Sequence, residues 1–492
     1  MYTLLVDNEI ELMSPSPYYY FDFKDFDFDF DFDFKDFFII MKVTGISICP
    51  PSAAASNPKV TPELLASSLA RYSRSNLGLD AILASIDWND PDKSVDAIFR
   101  FVDYGHASIT GMTGGIAVAV DGLSMFLAYK IFDIAQLCDG QESSTRYIKL
   151  DKISLPTADE LGIPENCARR WERTAERAFE VYREIYDTLD DKVKRRPELI
   201  KLPSGVDDKI IDRLRKNYAL DRARYLIPFA AKTNAAYVMT ARVWADTLRQ
   251  LDSLPLPEAH TCAKLIRAEL DKFVPRMTRH SFKTVASESQ AAQMISYSIN
   301  KIHNEGVNIT NIPDEVYLHV DDGKPPFLPD LQSAAAAFSG KENRYSVVGT
   351  AARRATVRAA WNNMAIAELR DLNRHRSGYR FSPLCPRGFY LPEEAKNPNV
   401  RELLDEYKKT IEAIAAQETG AEAYIYSLLL GTQVAFEHST HLDKFIYEIE
   451  LRTGMGAHFR YAEHLSKAAA LLTRERPELA PFIQTGNAEP EF

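Results

Sequence analysis

Gln141-Glu142-Ser143-Ser144-Thr145-Arg146-Tyr147 packs a carboxylate, several hydroxyls and an arginine into one short polar stretch directly after an apolar helical pattern. Such a stretch can offer an anion both a guanidinium fork and hydroxyl donors, which suits the phosphate and sugar of a nucleotide. It can equally be a helix cap with a solvated ion pair. Farther along, Arg374-His375-Arg376 is expected to end a helix that begins near Trp361, and Ser377-Gly378-Tyr379 opens a loop. The helix dipole by itself accounts for cations at a C-terminus. The same cluster can also hold a diphosphate and a planar ring, because guanidinium groups match phosphate and stack on aromatic faces.

Around these two stretches lie 492 residues, 46% apolar and 26% charged, enough for two or three domains. A formal charge of -10 argues against a protein that works by coating nucleic acid, so any bound anion needs a local basic pocket. Cys49, Cys138, Cys167, Cys262 and Cys385 form no Cys-x-x-Cys pair, which fits reduced structural thiols in a cytoplasm. No run reaches the ~18 to 20 apolar residues of a spanning helix, and no secretory signal follows the N-terminus, so no membrane association is expected. Residues 1–40 contain Tyr18-Tyr19-Tyr20 and a Phe/Asp alternation from Phe21 to Phe34, which reads as a disordered or extraneous extension.

Fold reasoning starts at Met41, where Lys-Val-Thr-Gly-Ile-Ser-Ile predicts a first strand. Ile116 to Val120 reads as a buried strand between glycine turns. Trp171, Ala175, Ala178, Phe179, Tyr182 and Ile185 recur at three and four and predict one face of a helix. The proline-containing segment Pro313 to Leu331 reads as a connection. The expected divisions are 41–285 and 336–485, joined by 286–335.

The two divisions repeat weakly. At an offset of 240, Leu123 to Gln136 falls on Asn363 to Arg376, pairing Phe126 with Ile366, Lys130 with Arg370 and Phe132 with Leu372. At an offset of 202, Leu226-Ile227 falls on Leu428-Leu429, Arg242 on Lys444 and Gln250 on Arg452. The order is collinear, although two amphipathic helices can match this well by chance.

Together these stretches resemble the flavin-dependent thymidylate synthases (ThyX), whose motif is Arg-His-Arg, seven residues, then Ser within Glu-x-Ser-x-Arg-Tyr. The first half keeps Glu142, Ser144, Arg146 and Tyr147, but has Ile134-Ala135-Gln136 where the motif has Arg-His-Arg. The second half keeps Arg374-His375-Arg376, but has Leu384 where the motif has Ser. Each half keeps what the other lost. His106 and Ser108 resemble the family's His-x-Ser/Thr segment, Ala223-Arg224 with Leu226 to Pro228 its Ala-Arg-x-x-Leu-Pro segment, Thr240 to Arg242 its Asn-x-Arg segment, and Glu450-Leu451-Arg452 the segment whose arginine faces the pyrimidine.

The resemblance implies an α+β fold with two ThyX-like domains, each a small, mainly antiparallel sheet packed with long helices. It implies reductive methylation of dUMP to dTMP with FAD, NADPH and methylenetetrahydrofolate. Glu142, Ser144, Arg146, Arg224, Arg374 and Arg452 would hold dUMP, Arg374 and Arg452 being the catalytic pair. Arg374, His375, Arg376, His106, Ser108, Arg242, His441 and Lys444 would contact FAD. The family builds each site between subunits, so one composite site is expected between the two halves, and the reciprocal site, with Ile134-Ala135-Gln136, Gln250 and Leu384, is expected to be dead. A homodimer forming a pseudo-tetramer of domains follows.

Three other readings compete. Glu437-His438-x-x-His441 would put two imidazoles on one face if helical, yet its order is not the zinc motif's and no metal is expected. Cys385 lies in Pro-Leu-Cys-Pro-Arg, whose surroundings do not fit a nucleophile segment, and no Gly-x-Gly-x-x-Gly follows a strand. A catalytically inactive descendant that binds flavin or nucleotide, or acts as a scaffold, would also explain the divided motif.

Overall fold

A computed structural model describes residues 41–48, 62–99, 115–135, 137–146, 150, 154–201, 208–272, 278, 280–323, 326–329, 333–486 and 488. The expected extension over 1–40 lies outside them, as do His106, Ser108, Gln136 and Tyr147. The fold is α+β, with helices packed on two antiparallel sheets. The first sheet joins β1 (Lys42–Ile48), β2 (Ile116–Ser124), β3 (Asp139–Glu142) and β4 (Lys232–Met239) in the order β1-β2-β4-β3. The second joins β5 (Val316–Asp321), β6 (Thr356–Ala365), β7 (Tyr379–Phe381) and β9 (Thr432–His441) in the order β5-β6-β9-β7, with β8 (Gly388–Phe389) also on β9.

The correspondence extends to the details. Each sheet's second strand breaks register once, between Asp121 and Leu123 in β2 and between Trp361 and Met364 in β6. In β2 the extra residue is Gly122, whose φ of 75 a side chain would strain. Each of these strands runs straight into a helix, Met125–Ile134 in the first half and Ile366–Leu372 in the second. The first is capped by Ser124, which accepts from Leu127 N at 3.0 Å and donates to the buried Glu258 at 2.7 Å.

The halves meet across a local two-fold arrangement. Phe229 N donates to Leu428 O at 2.8 Å, and Leu430 N donates to Ile227 O at 2.9 Å, which is one bond repeated with the halves exchanged at an offset of 201. Pro228 and Leu429 face each other between them as an antiparallel bridge. Such self-complementary contact is how two-fold interfaces are made. The long helix Glu165–Arg195 buries Trp171, Ala175, Ala178, Phe179, Tyr182 and Ile185, the face its periodicity predicts, and lies against the helix Pro398–Ala415 of the second half. One continuous apolar core contains residues of both sheets.

Three sequence expectations change. Segment 286–335 is more than a connection, since the helix Val285–Glu305 and the edge strand β5 lie within or across it. Period-two alternation in Val316–Asp321 buries only Leu318 and Val320, and the flanking prolines hid so short an edge strand. Trp361 belongs to β6, so the helix before Arg374-His375-Arg376 begins at Ile366 and ends at Leu372. Glu437 and His438 lie in β9, which His441 ends. Three strand positions apart, the two imidazoles project from opposite faces, so the helical His pair does not exist.

Trp171 is 1% exposed and its indole Nε1 donates to Tyr426 O of the second half at 3.1 Å. Trp171→Ala is therefore expected to cost about 3–5 kcal/mol and to lower one common unfolding transition for both halves, read by calorimetry. Two separated transitions would contradict a shared core.

Candidate active site

The helix Ile366–Leu372 ends beside the 3-10 turn Arg224–Leu226, and this juxtaposition builds the site. Asp371, in the last turn, accepts from Arg224 Nη2 at 3.0 Å, and Arg224 is 1% exposed. Burial raises the Asp371 carboxyl, but Arg224, Arg374, Arg146 and Arg452 together outweigh it and hold the group down at about 2. These arginines come from both halves. Arg452, near the C-terminus of the helix Leu442–Thr453, donates through Nη2 to Asp371 O at 3.0 Å and through Nε to His375 Nε2 at 2.7 Å. Arg146 grips Asp221 through Nε, at 2.9 and 3.0 Å, and Nη2, at 2.8 Å, and reaches Gly456 O and Tyr461 Oη of the second half at 3.3 and 3.4 Å.

His375 accepts at Nε2, so its own proton sits on Nδ1. Burial pushes its pKa down to about 3, with Glu448 opposing and Arg452 and His438 adding to the fall, which keeps the ring neutral. Burial raises the Glu448 carboxyl, but His438, bonded to it at 2.8 Å, outweighs that and holds the group at about 2. Gly378 lets the loop after the triplet turn: at its φ of 93, a Cβ would lie 2.2 Å from Ser439 O on β9.

A narrow cavity of about 10 Å³ lies between the halves, room for about one water. Tyr129, Phe132 and Gly140 to Glu142 form its first-half wall, and Arg370, Asn373, Arg374 and Arg376 the other. Arg376 lies over the Phe132 ring at 4.1 Å and donates to Cys138 O at 3.2 Å and Gly140 O at 3.5 Å. Glu142 pairs with Arg370 across the slot. Ser144 is buried, accepts from Arg146 N at 3.3 Å and donates its own N–H to Ser73 O at 3.2 Å.

The predicted residues Glu142, Ser144, Arg146, Arg224, Arg374, His375, Arg376 and Arg452 thus gather at one junction. Arg242, His441 and Lys444 do not join it through any bond among the described residues. All three are exposed, and Lys444 faces Asp443 at 3.5 Å. His106 and Ser108 lie outside the described residues. Sequence reading missed Asp371, Asp221 and Arg380. Each aspartate stands three residues before an arginine of the site, Arg374 and Arg224, and that spacing was the available signal. Arg380, buried between exposed Tyr379 and Phe381, donates to Asn373 O, His375 O and Phe132 O at 2.6, 3.2 and 2.9 Å, so it ties together the carbonyl ends of the two facing helices.

The chain matches the family model of thymidylate synthase complementing protein, Thy1, over residues 59–276. That match covers less than half of the chain. It is 23% identical over 482 residues, 85% of this chain and 95% of the relative, to a UPF0159 protein of Thermoplasma acidophilum. It is 22% identical over 221 residues, 45% of this chain and 82% of the relative, to a flavin-dependent thymidylate synthase of Clostridium tetani. The Thy1 segment contains Glu142, Ser144, Arg146 and Arg224, whereas Asp371, Arg374, His375 and Arg452 lie beyond it. Among the described residues, no helix is long and apolar enough to cross a membrane.

Two outcomes follow from this electrostatics. Asp371→Ala leaves Arg224 buried without its counter-charge and is expected to cost about 3–5 kcal/mol in denaturant unfolding, most of it recovered in Asp371→Leu with Arg224→Met. The buried His375, His458 and His464 all have lowered pKa values, burial being the first cause in each. Below pH ~6.5 the unfolded chain takes protons that the folded chain refuses, so stability falls as pH drops, by about 1.4 kcal/mol per pH unit for each histidine. His375→Gln is expected to reduce that slope by about one such increment in melts between about pH 6 and 4; an unchanged slope would mean that this ring is not held neutral.

Proposed function

We propose that the chain is a flavin-dependent thymidylate synthase with one composite site, built by two diverged copies of one domain in a single polypeptide. Support for the copies comes from the matching strand orders, the matching register breaks and the bonds exchanged around Pro228 and Leu429. The observation that carries the site is the convergence on Asp371 of Arg146 and Arg224 from one half and Arg374 and Arg452 from the other. Against Asp221 and Asp371, these four guanidiniums leave two positive charges, the complement of a phosphate monoester dianion.

In this reading Ser144, Arg146 and Arg224 hold the phosphate of dUMP and Glu142 accepts from its sugar hydroxyl. Arg452 donates to a uracil carbonyl, stabilising charge that develops there, and the neutral His375 fixes its fork from behind. Arg374, exposed at the slot's mouth, lies between nucleotide and cofactor, with His375 and Arg376 on the cofactor side. Once opened, the slot would offer a planar ring both donors and acceptors, because Nε of Arg370 and Arg376 and Oδ1 of Asn373 are buried without partners among the described residues. A bound FAD supplies the reducing equivalents, drawn from NADPH, while methylenetetrahydrofolate supplies the carbon. Entry requires the Glu142–Arg370 pair to part, since it narrows the slot.

A second reading, a Thy1 relative that binds nucleotide without turning it over, is favoured by the pairing of Arg146 and Arg224 with the chain's own Asp221 and Asp371. Tritium release from C5-labelled dUMP, with flavin-loaded protein, NADPH and methylenetetrahydrofolate, separates the two. The synthase reading expects release, lowered by roughly 10² to 10³ in Arg374→Ala and in Ser144→Ala. No release from a flavin-loaded wild type that still binds dUMP would establish the second reading.

A further inference from the structure

The local two-fold places a second cavity opposite the first. Ile134 and Ala135 occupy the positions of Arg374 and His375 there and Lys130 that of Arg370, Gln250 lies on the helix that matches the one bearing Arg452, and all four line an opening of about 360 Å³. That volume is within the range of small-molecule sites and far above the closed slot. Its chemistry is inverted. Of its charged walls, Lys130 bonds Asp133 at 2.7 Å, Asp246 faces Arg249 at 3.4 Å, and the terminal nitrogens of Arg380 are engaged by three main-chain carbonyls. Two cations and two carboxylates line it, a formal balance of zero. Where the first half presents Ser144, the second has Leu384, buried and turned to a φ of 52, with no hydroxyl to offer a phosphate.

The remaining walls suit a flat, uncharged molecule. Tyr379 and Phe381 are exposed aromatics on alternate positions of β7, and Val243 and Met294 bring apolar surface from two helices. Gln250 offers a donor and an acceptor from one amide, and Thr247 and Ser382 add hydroxyls.

The geometry points to a second ligand site in this cavity, for an uncharged planar heterocycle carrying a ring amide, held by the Gln250 amide between Tyr379, Phe381 and Met294. A phosphate-bearing ligand is disfavoured, because among the described residues no unpaired cation lines the cavity and its desolvation would go uncompensated. The site is independent of the proposed synthase activity.

Riboflavin is a suitable probe, being uncharged, fluorescent and obtainable with a phosphate on the same ring system as FMN. Fluorescence titration uses the full chain, with Arg374→Ala and Arg376→Ala measured in parallel to separate binding in the slot beside Asp371 from binding here. Riboflavin is expected to bind one per chain, with FMN weaker by roughly tenfold or more. Val243→Trp and Met294→Trp, each at a half-buried wall position on a different helix, are each expected to weaken riboflavin by a similar factor while leaving the thermal midpoint near that of the parent. The proposal is overturned if riboflavin does not bind, if FMN binds equally well, or if both tryptophan variants fold and bind like the parent.

Discussion

The Asp371 carboxylate is the group around which the two halves are organised. Taking a carboxylate and a guanidinium out of water costs several kcal/mol each, more than a single imperfect pairing returns. Asp371 is nonetheless buried and held ionised near a pKa of about 2, which requires several guanidiniums to converge on it. Arg224 and Arg146 can do so only if the first half delivers them to the C-terminus of a second-half helix. Arg452 binds the Asp371 carbonyl as well, satisfying a helix-end acceptor and drawing His375 into the same set of bonds.

That convergence depends on the contact around Pro228 and Leu429. The exchanged main-chain bonds fix the Arg224 turn against the second sheet to within a hydrogen-bond length, and the Trp171 helix locks the arrangement from behind. On the proposed duplication, divergence has a clear consequence. At a two-fold junction each cavity draws on both copies, so a loss in one copy removes different parts from the two cavities. Here the guanidinium excess lies on the Asp371 side, and the opposite cavity is larger and balances two cations against two carboxylates.

Much of the frame was legible in sequence because it rests on local signals: the apolar period of Trp171 to Ile185, the β-branched run at Ile116 and the two collinear offsets. The strands follow the first offset, 139–142 against 379–381, and match 232–239 to 432–441 at 201, one residue from the second. The site's arginines were readable from their motif fragments. Their counter-charges were not, since Asp371 and Asp221 look like ordinary helix-surface acids until the tertiary fold buries them. His438 and His441 misled for the same reason: spacing predicts a shared face only once the secondary structure is known, and β9 separates them. Edge strand β5 was hidden by prolines, and the pairing of Glu142 with Arg370 joins residues 228 positions apart, a separation no local pattern encodes.

The most direct test of a single site shared by the two halves is the stoichiometry of dUMP binding to the flavin-loaded chain, measured by titration calorimetry. The account predicts one dUMP per chain, with binding lost both in Arg224→Ala and in Arg374→Ala, one substitution from each half. Two equivalent sites per chain, or binding that survives either substitution, would contradict it.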